Sequence, residues 1–125
     1  MRRIGAGYSS QKGLNQMAYD KVLAQQVRTL FEGRPGFAEK KMFGGVCFLL
    51  RGNMACGVLN EDLIVRVGPD SYEALLKLPE TKVFDMTGKP MKGWVMVSPK
   101  GHRAKKDRDA WVERGAAFAL TLPPK

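Results

Sequence analysis

The stretch of residues 40–58, KKMFGGVCFLLRGNMACGV, limits the possible folds more than any other part of the sequence. Two apolar runs flank the pair Gly52-Asn53, and both of these residue types tolerate the positive φ angles that tight hairpin turns require. We therefore predict two antiparallel strands, at residues 41–50 and 54–59. A polar turn follows, and residues 63–67, LIVRV, predict a third strand of strong β-formers.

Helical patterns lie on both sides of these three strands. Apolar residues recur at intervals of three and four from residue 18 to residue 32, and Gly33 and Pro35 then supply a helix stop. Asp70 or Ser71 can cap a short helix that runs to about residue 77. Two more strands are predicted at residues 83–84 and 94–97, and a last helix at residues 105–120.

The resulting order, α-β-β-β-α-β-β-α, predicts an α+β two-layer sandwich in which one face of an antiparallel sheet packs on helices. The first three strands lack crossover helices, so the order does not fit a Rossmann or P-loop unit. A chain of 125 residues, 44% of them hydrophobic, has room for one core. We expect one domain at residues 17–125, preceded by residues 1–16 as a disordered tail or as an artificial extension before a natural start at Met17.

The sequence predicts a cytoplasmic protein that has no contact with membranes. No apolar run approaches the ~20 residues that cross a bilayer, and the first residues lack the apolar segment of a secretory signal. Two cysteines are too few for a disulfide framework. The formal net charge of +9 would attract phosphate backbones, acidic proteins and anionic lipids alike, so charge alone selects no partner.

The Phe43-Gly44-Gly45 element has two interpretations. A phosphate-binding loop would need further glycines, or a Gly-Lys-Ser/Thr ending, and a helix after the loop. Here a strand follows. We therefore interpret the glycines as a bulge or a close backbone approach that lets the strand bend.

The cysteines and the single histidine predict no reactive centre. With a turn centred on Gly52-Asn53, Cys47 would oppose Val58 and Cys56 would oppose Leu49, which disfavours a strain-free disulfide. Short Cys-x2-4-Cys spacing and two further ligands, as a metal site needs, are missing. His102 has no evident nucleophile or orienting carboxylate, since Asp107 and Asp109 suit the first turn of the last helix. We expect buried thiols, no enzyme activity, no metal and no cofactor.

A cluster of positive residues is the strongest electrostatic feature of the sequence. If the loop before the fifth predicted strand folds beside the start of the last helix, seven cations form one basic patch. This patch could bind nucleic acid through its phosphates, without contacts that distinguish the bases, or it could bind an acidic protein. An inert, solvated surface is the alternative. The predicted patch consists of Lys89, Lys92, Lys100, Arg103, Lys105, Lys106 and Arg108.

Five methionines could form an adaptable binding surface, but we interpret them as fillers of irregular gaps in the core. They are Met42, Met54, Met86, Met91 and Met96.

Several motifs in this order are similar to the N-terminal domain of TfoX/Sxy-type competence regulators. Residues 41–45, KMFGG, open a hairpin after an amphipathic helix, and Gly88-Lys89-Pro90-Met91 precedes the strand at residues 94–97. A closing helix carries Trp111. The resemblance covers roughly residues 18–120, and its structural motif residues are Met42, Phe43, Gly44, Gly45, Gly88 and Pro90.

This resemblance implies a two-layer fold similar to secretion-chaperone-like domains, with no catalytic residues. It also implies a role in the regulation of competence and transcription in bacteria. The expected function is therefore that of a regulatory module that acts through an unidentified protein partner, with direct nucleic-acid binding as the alternative. Because folds of this type often pair and an open sheet leaves an edge to protect, a homodimer is a further expectation.

Overall fold

The computed structural model describes residues 19–42, 44–85 and 88–125 of the chain. The segment predicted as a tail, residues 1–16, lies outside the described residues, as do Phe43 and Met86. The described part forms one six-stranded antiparallel sheet with helices packed on it, which confirms the predicted α+β fold.

The strands follow one another across the sheet except at its far end, where the last strand lies between the fourth and the fifth. The spatial order is β1-β2-β3-β4-β6-β5, and every neighbouring pair is antiparallel. The strands are β1 (Phe37–Met42), β2 (Gly45–Leu50), β3 (Asn53–Leu59), β4 (Asp62–Arg66), β5 (Thr81–Val83) and β6 (Trp94–Val97).

Four helices complete the described structure, where the sequence predicted three. They are α1 (Lys21–Phe31), α2 (Pro69–Leu76), α3 (Pro99–His102) and α4 (Lys105–Leu120). Pro99 occupies the first turn of the short helix α3, a position that needs no backbone N–H donor. The sequence pattern did not reveal this helix.

Helix α1 begins at Lys21 because the Asp20 side chain caps it. The Oδ1 atom of Asp20 accepts hydrogen bonds from the backbone N–H groups of Val22 and Leu23, at 2.9 and 3.0 Å. The helix was predicted to start at residue 18, which lies outside the described residues, but Tyr19 already forms an isolated bridge to Asn60. The predicted start is therefore too early.

The single strand predicted at residues 41–50 is wrong, because two strands and a turn occupy this region. Gly44 lies in the turn between β1 and β2 with φ at +79°, a conformation that glycine adopts without steric cost. The interpretation of this glycine as a bend within one strand is therefore also wrong. β1 was missed because its exposed residues, Ala38 to Lys41, do not alternate between apolar and polar.

The fourth of the five predicted strands also lies earlier than predicted. It was placed at residues 83–84, whereas β5 is Thr81–Val83 and Phe84 follows it outside the strand.

The hairpin of β2 and β3 has a different register from the one predicted. Its turn is Arg51-Gly52, so that Leu50 pairs with Asn53, and an irregularity at Ala55 then shifts the pairing by one residue. Beyond this bulge, Cys47 pairs with Gly57 and Phe48 pairs with Cys56. The predicted partners of the cysteines, Val58 and Leu49, are therefore each wrong by one position.

The core lies between the sheet and the helices. Phe31 of α1 stacks on Phe48 of β2, with ring centroids 5.7 Å apart, and Val27, Val65 and Val112 are fully buried beside them. Helix α4 comes so close to β3 that a Cβ atom at Gly115 would lie 2.5 Å from the Ala55 carbonyl oxygen. We call the side of the sheet that carries these helices the helix face, and the other side the open face.

Candidate functional site

Side chains that alternate with the core residues point to the open face. In the register of the sheet, Cys47 of β2 and Ile64 of β4 both lie level with Gly57 of β3, on the side opposite Phe48 and Val65. Trp94 and Met96 of β6 pair with Arg66 and Ile64 and therefore lie on the same side. The open face is thus largely apolar.

A groove of about 470 Å3 runs over this face. Cys47 and Ile64 are at its floor, with only 6% and 4% of their surfaces exposed. Phe84 and Met91 contribute a wall from the segment between β5 and β6, and the backbone N–H of Met91 donates to the Phe84 carbonyl at 2.9 Å. The remaining side chains that line the groove include Met42, Leu49, Met54, Leu59, Arg66, Trp94 and Lys125.

The interpretation of the methionines as core fillers is wrong for the four that the structure describes. Met42, Met54 and Met91 line the groove, and each is only half-buried. Met96 is also half-buried and lies on the open face through its pairing with Ile64. Because Met side chains are flexible and polarizable, a surface that they line can adapt to different apolar groups.

Arg66 is a charged residue in the lining of the groove. Its guanidinium carbon lies 4.9 Å from the centroid of the Trp94 ring and 5.7 Å from that of Phe118, so the cation is held by aromatic rings. Its one hydrogen bond in the described structure runs from Nη1 to the Met54 carbonyl at 3.5 Å, the outer limit for such a bond. Burial lowers the pKa of Arg66 below its ordinary value.

Arg66 was not among the predicted site residues, although the pattern contained a signal. In the segment LIVRV, Ile64 and Arg66 alternate with Leu63, Val65 and Val67, so the arginine shares a face with an apolar neighbour. This alternation places Arg66 on one face of the sheet. Sequence alone could not show that the same face would carry Trp94 and a groove.

The two cysteines point to opposite faces of the sheet, and both are free thiols. Cys56 is fully buried against α4, where a Cβ atom at Gly115 would lie 2.8 Å from its Sγ atom. Burial raises the pKa of both thiols above the ordinary value for cysteine. Since the thiolate is the reactive form, neither cysteine is activated as a nucleophile.

His102 is buried at the end of α3 and has one hydrogen bond, in which its Nε2–H donates to the Glu61 carbonyl at 2.8 Å. Its Nδ1 atom is buried without a partner among the described residues. A catalytic base needs a group that orients it and a substrate position within reach. In the described structure, His102 instead connects α3 to the turn between β3 and β4.

The seven residues of the predicted basic patch separate into two exposed groups, one exposed lysine in an ion pair and one buried residue. Lys89 and Lys92 precede β6, and Lys100, Arg103 and Lys106 follow it. The four residues of β6, about 13 Å of extended chain, lie between the two groups in the sequence.

Arg108 is only 9% exposed, and its Nη1 donates to the carbonyls of His102 and Arg103 at 3.2 and 3.0 Å. It is therefore a packing residue of the α3–α4 connection. Lys105 is exposed and forms an ion pair with Asp109, with an Nζ–Oδ2 distance of 2.7 Å.

The motif residues lie in turns and at close contacts. A Cβ atom at Gly45 would lie 2.5 Å from the Val58 carbonyl oxygen, so the backbones of β2 and β3 approach closely there. Gly88 has φ at +85°, and both Gly88 and Pro90 are exposed. Met42 lines the groove, whereas Phe43 is outside the described residues.

Neither a metal cluster nor a membrane-spanning helix is found in the described part of the chain. In residues 19–42, 44–85 and 88–125, no group of three or more His, Cys, Asp or Glu side chains could hold a metal ion. In the same residues, no helix is both long enough and apolar enough to span a bilayer.

These observations define a small α+β protein whose sheet has helices on one face and an apolar groove on the other. The chain belongs to the TfoX N-terminal domain family, because the model of that family matches residues 29–119, more than half of the sequence. The resemblance noted in the sequence is thereby confirmed, although the match begins within α1. A search of curated proteins found no match to the chain.

Proposed function

We propose that the chain is a non-enzymatic regulatory module that acts in bacterial transcription by binding a protein. Membership of the TfoX N-terminal domain family supports a competence-regulator-like role. The observation that carries the proposal is the placement of the reactive side chains in the described structure. Cys47 and Cys56 lie on opposite faces of the sheet, and His102 donates its hydrogen bond to a backbone carbonyl.

A complementation experiment in the native host tests the non-enzymatic part of the proposal. The gene is deleted, and the transcript profile is measured after it is replaced by the wild type or by a variant with Cys47→Ala, Cys56→Ala and His102→Gln. We expect the triple variant to restore the wild-type profile when it accumulates to the same level. A variant that accumulates normally and yet leaves the deletion profile unchanged would contradict the proposal.

Photo-crosslinking tests the protein contact. Leu78, before β5, and Val83, the last residue of β5, are large apolar side chains that are exposed at 40% and 39% of their surfaces. A photo-reactive amino acid at either position should capture the same host protein, and one at Gln25, on the exposed side of α1, is the matched control. If the two test positions capture different proteins, or capture none, the result would contradict a protein contact at Leu78 and Val83.

The second candidate is direct nucleic-acid binding. It is favoured by Lys100 of α3, Arg103 directly after α3 and Lys106 of α4, which are exposed without a salt bridge to any described carboxylate. These three side chains could contact phosphates without reading bases. The homodimer also stays a prediction, with β1 and β5 as the two edges of the sheet.

A further inference from the structure

The groove on the open face has the size and the wall chemistry of a small-molecule site. Its volume of about 470 Å3 falls within the range of roughly 300–1,000 Å3 that is typical of such sites. The floor residues Cys47 and Ile64 are nearly buried although the helices pack on the opposite face. Met, Leu, Phe and Trp side chains form most of the rest of the lining. An apolar molecule would therefore contact side chains on several sides.

Arg66 provides a positive charge that has no negative partner in the protein. No carboxylate of the described residues lies within 4.0 Å of its guanidinium. The residues outside the described part, 1–18, 43, 86 and 87, include neither Asp nor Glu. A guanidinium has five N–H donors and stays charged at all physiological pH values. Most of these donors are left available for a ligand.

One further cation of the open face, Lys40, adds to this positive potential. Lys40 of β1 pairs with Cys47 of β2 and so lies on the same side of the sheet. The carboxylate of Asp62 is already engaged, since its Oδ2 atom lies 3.3 Å from Nζ of Lys82. The balance around the groove therefore favours an anionic ligand over a neutral or cationic one.

We propose that this groove binds a small amphipathic monocarboxylate, with its apolar body on the floor formed by Cys47 and Ile64 and its carboxylate on the guanidinium of Arg66. The planar fork of an arginine matches both oxygens of a carboxylate, and the Trp94 ring holds that plane in position. This inference goes beyond the proposed function and does not depend on it.

The same geometry argues against a phosphate-bearing ligand. Phosphate sites combine several cations or a series of backbone N–H groups, commonly at a helix N-terminus. Among the described residues, the lining of this groove contains two basic residues, Arg66 and Lys125, and its elements are strands and loops. One guanidinium beside a large apolar surface suits a single carboxylate attached to an acyl chain or an aromatic ring.

Binding is tested with two carboxylates and their neutral counterparts of similar size: octanoate with 1-octanol, and 2-naphthoate with 2-naphthol. Isothermal titration calorimetry is performed on the wild type, on Arg66→Met and on Lys100→Met. The last variant is the matched control, because Lys100 is an exposed cation on α3, which packs on the helix face. NMR of the two indole N–H groups reports the location, since Trp94 lines the groove and Trp111 belongs to the core.

We expect at least one carboxylate to bind with one-to-one stoichiometry and at least about tenfold more tightly than its neutral counterpart. Binding should shift the Trp94 resonance and leave that of Trp111 in place. Arg66→Met should remove the preference for the carboxylate, and Lys100→Met should keep it. The comparison of charged and neutral probes in the wild type needs no substitution, so it decides the matter even if Arg66→Met does not fold.

Three results would overturn the inference. They are the absence of saturable binding by either carboxylate, equal affinities for the charged and the neutral member of each pair, and a carboxylate preference that survives in folded Arg66→Met.

Discussion

Cys56 lies at a close contact between the sheet and helix α4. It is fully buried, and glycine at position 115 provides the space for its sulfur atom. Burial raises the pKa of the thiol because the thiolate would lose its hydration there. The residue therefore contributes to packing, and its ionisation is coupled to unfolding.

The elevated pKa predicts that stability falls with rising pH in the alkaline range. Below the unfolded thiol pKa of about 8.5, both states carry the proton and the contribution of Cys56 is complete. Above it, only the unfolded thiol loses its proton, so stability declines until the pH passes the folded pKa. Relative to Cys56→Ala, the wild type should lose up to about 1.4 kcal/mol of unfolding free energy per pH unit from about pH 9 upwards.

Urea unfolding at intervals between about pH 6.5 and pH 10 measures this difference, a range that spans the unfolded thiol pKa. Because it lacks the sulfur atom, Cys56→Ala has a lower free energy of unfolding than the wild type by an amount that does not depend on pH. The difference measured at neutral pH gives this amount and serves as the internal control. Stability curves for the two proteins that remain parallel over the whole range would show that the thiol pKa is not raised in the folded state.

At the scale of elements, the connection between α3 and α4 depends on Arg108. Its side chain is buried and donates to the carbonyls of His102 and Arg103 at the end of α3. The sequence could not distinguish this arginine from its exposed neighbours, because α4 contains many charged residues and its apolar positions give no clear stripe. An arginine within a basic run was therefore predicted to be part of a binding patch.

We expect Arg108→Met to reduce the free energy of unfolding by about 1–3 kcal/mol, since it leaves two backbone carbonyls without this donor. Arg103→Met, an exposed neighbour in the same run, should change stability by less than about 0.5 kcal/mol. Thermal or denaturant unfolding of both variants checks the prediction. Equal effects of the two substitutions would show that Arg108 is not a structural residue.

The elements with clear local signals were predictable from the sequence. The strands from Asn53 to Leu59 and from Trp94 to Val97, and helix α4, lie within a residue of their predicted positions. The division of β1 from β2 was not predictable, because a Gly-Gly pair fits both a bend and a turn. The bulge at Ala55 was missed for a similar reason, since nothing in the alternation of β3 reveals an extra residue.

At the scale of the whole molecule, the described residues of the predicted basic patch do not form one continuous group. The group at Lys89 and Lys92 and the group at Lys100, Arg103 and Lys106 flank opposite ends of β6. The sequence showed both groups but could not give the distance between them. The groove was missed for the same reason, because Arg66, Trp94 and Cys47 meet only when the sheet is assembled.

If the chain binds duplex DNA, the group after β6 should dominate. We expect the variant Lys100→Gln, Arg103→Gln, Lys106→Gln to bind arbitrary duplex DNA more weakly. The slope of log affinity against log salt should become shallower by about 0.9 for each phosphate that the variant no longer neutralises. Lys89→Gln, Lys92→Gln is the control at the other end of β6. Fluorescence anisotropy between about 25 and 200 mM salt gives the slopes, and the absence of micromolar binding by the wild type at low salt would remove this function.

The extra residue at Ala55 has a consequence for the chemistry of the two sulfur atoms. A ladder continued from the pair Leu49–Met54 without the extra residue would place Cys47 directly across from Cys56. With it, the backbone of the sheet separates the two side chains. Under oxidising conditions, Cys47 and Cys56 therefore cannot form a disulfide within one folded molecule. Any disulfide that forms must join two chains or require a change in the register of the hairpin.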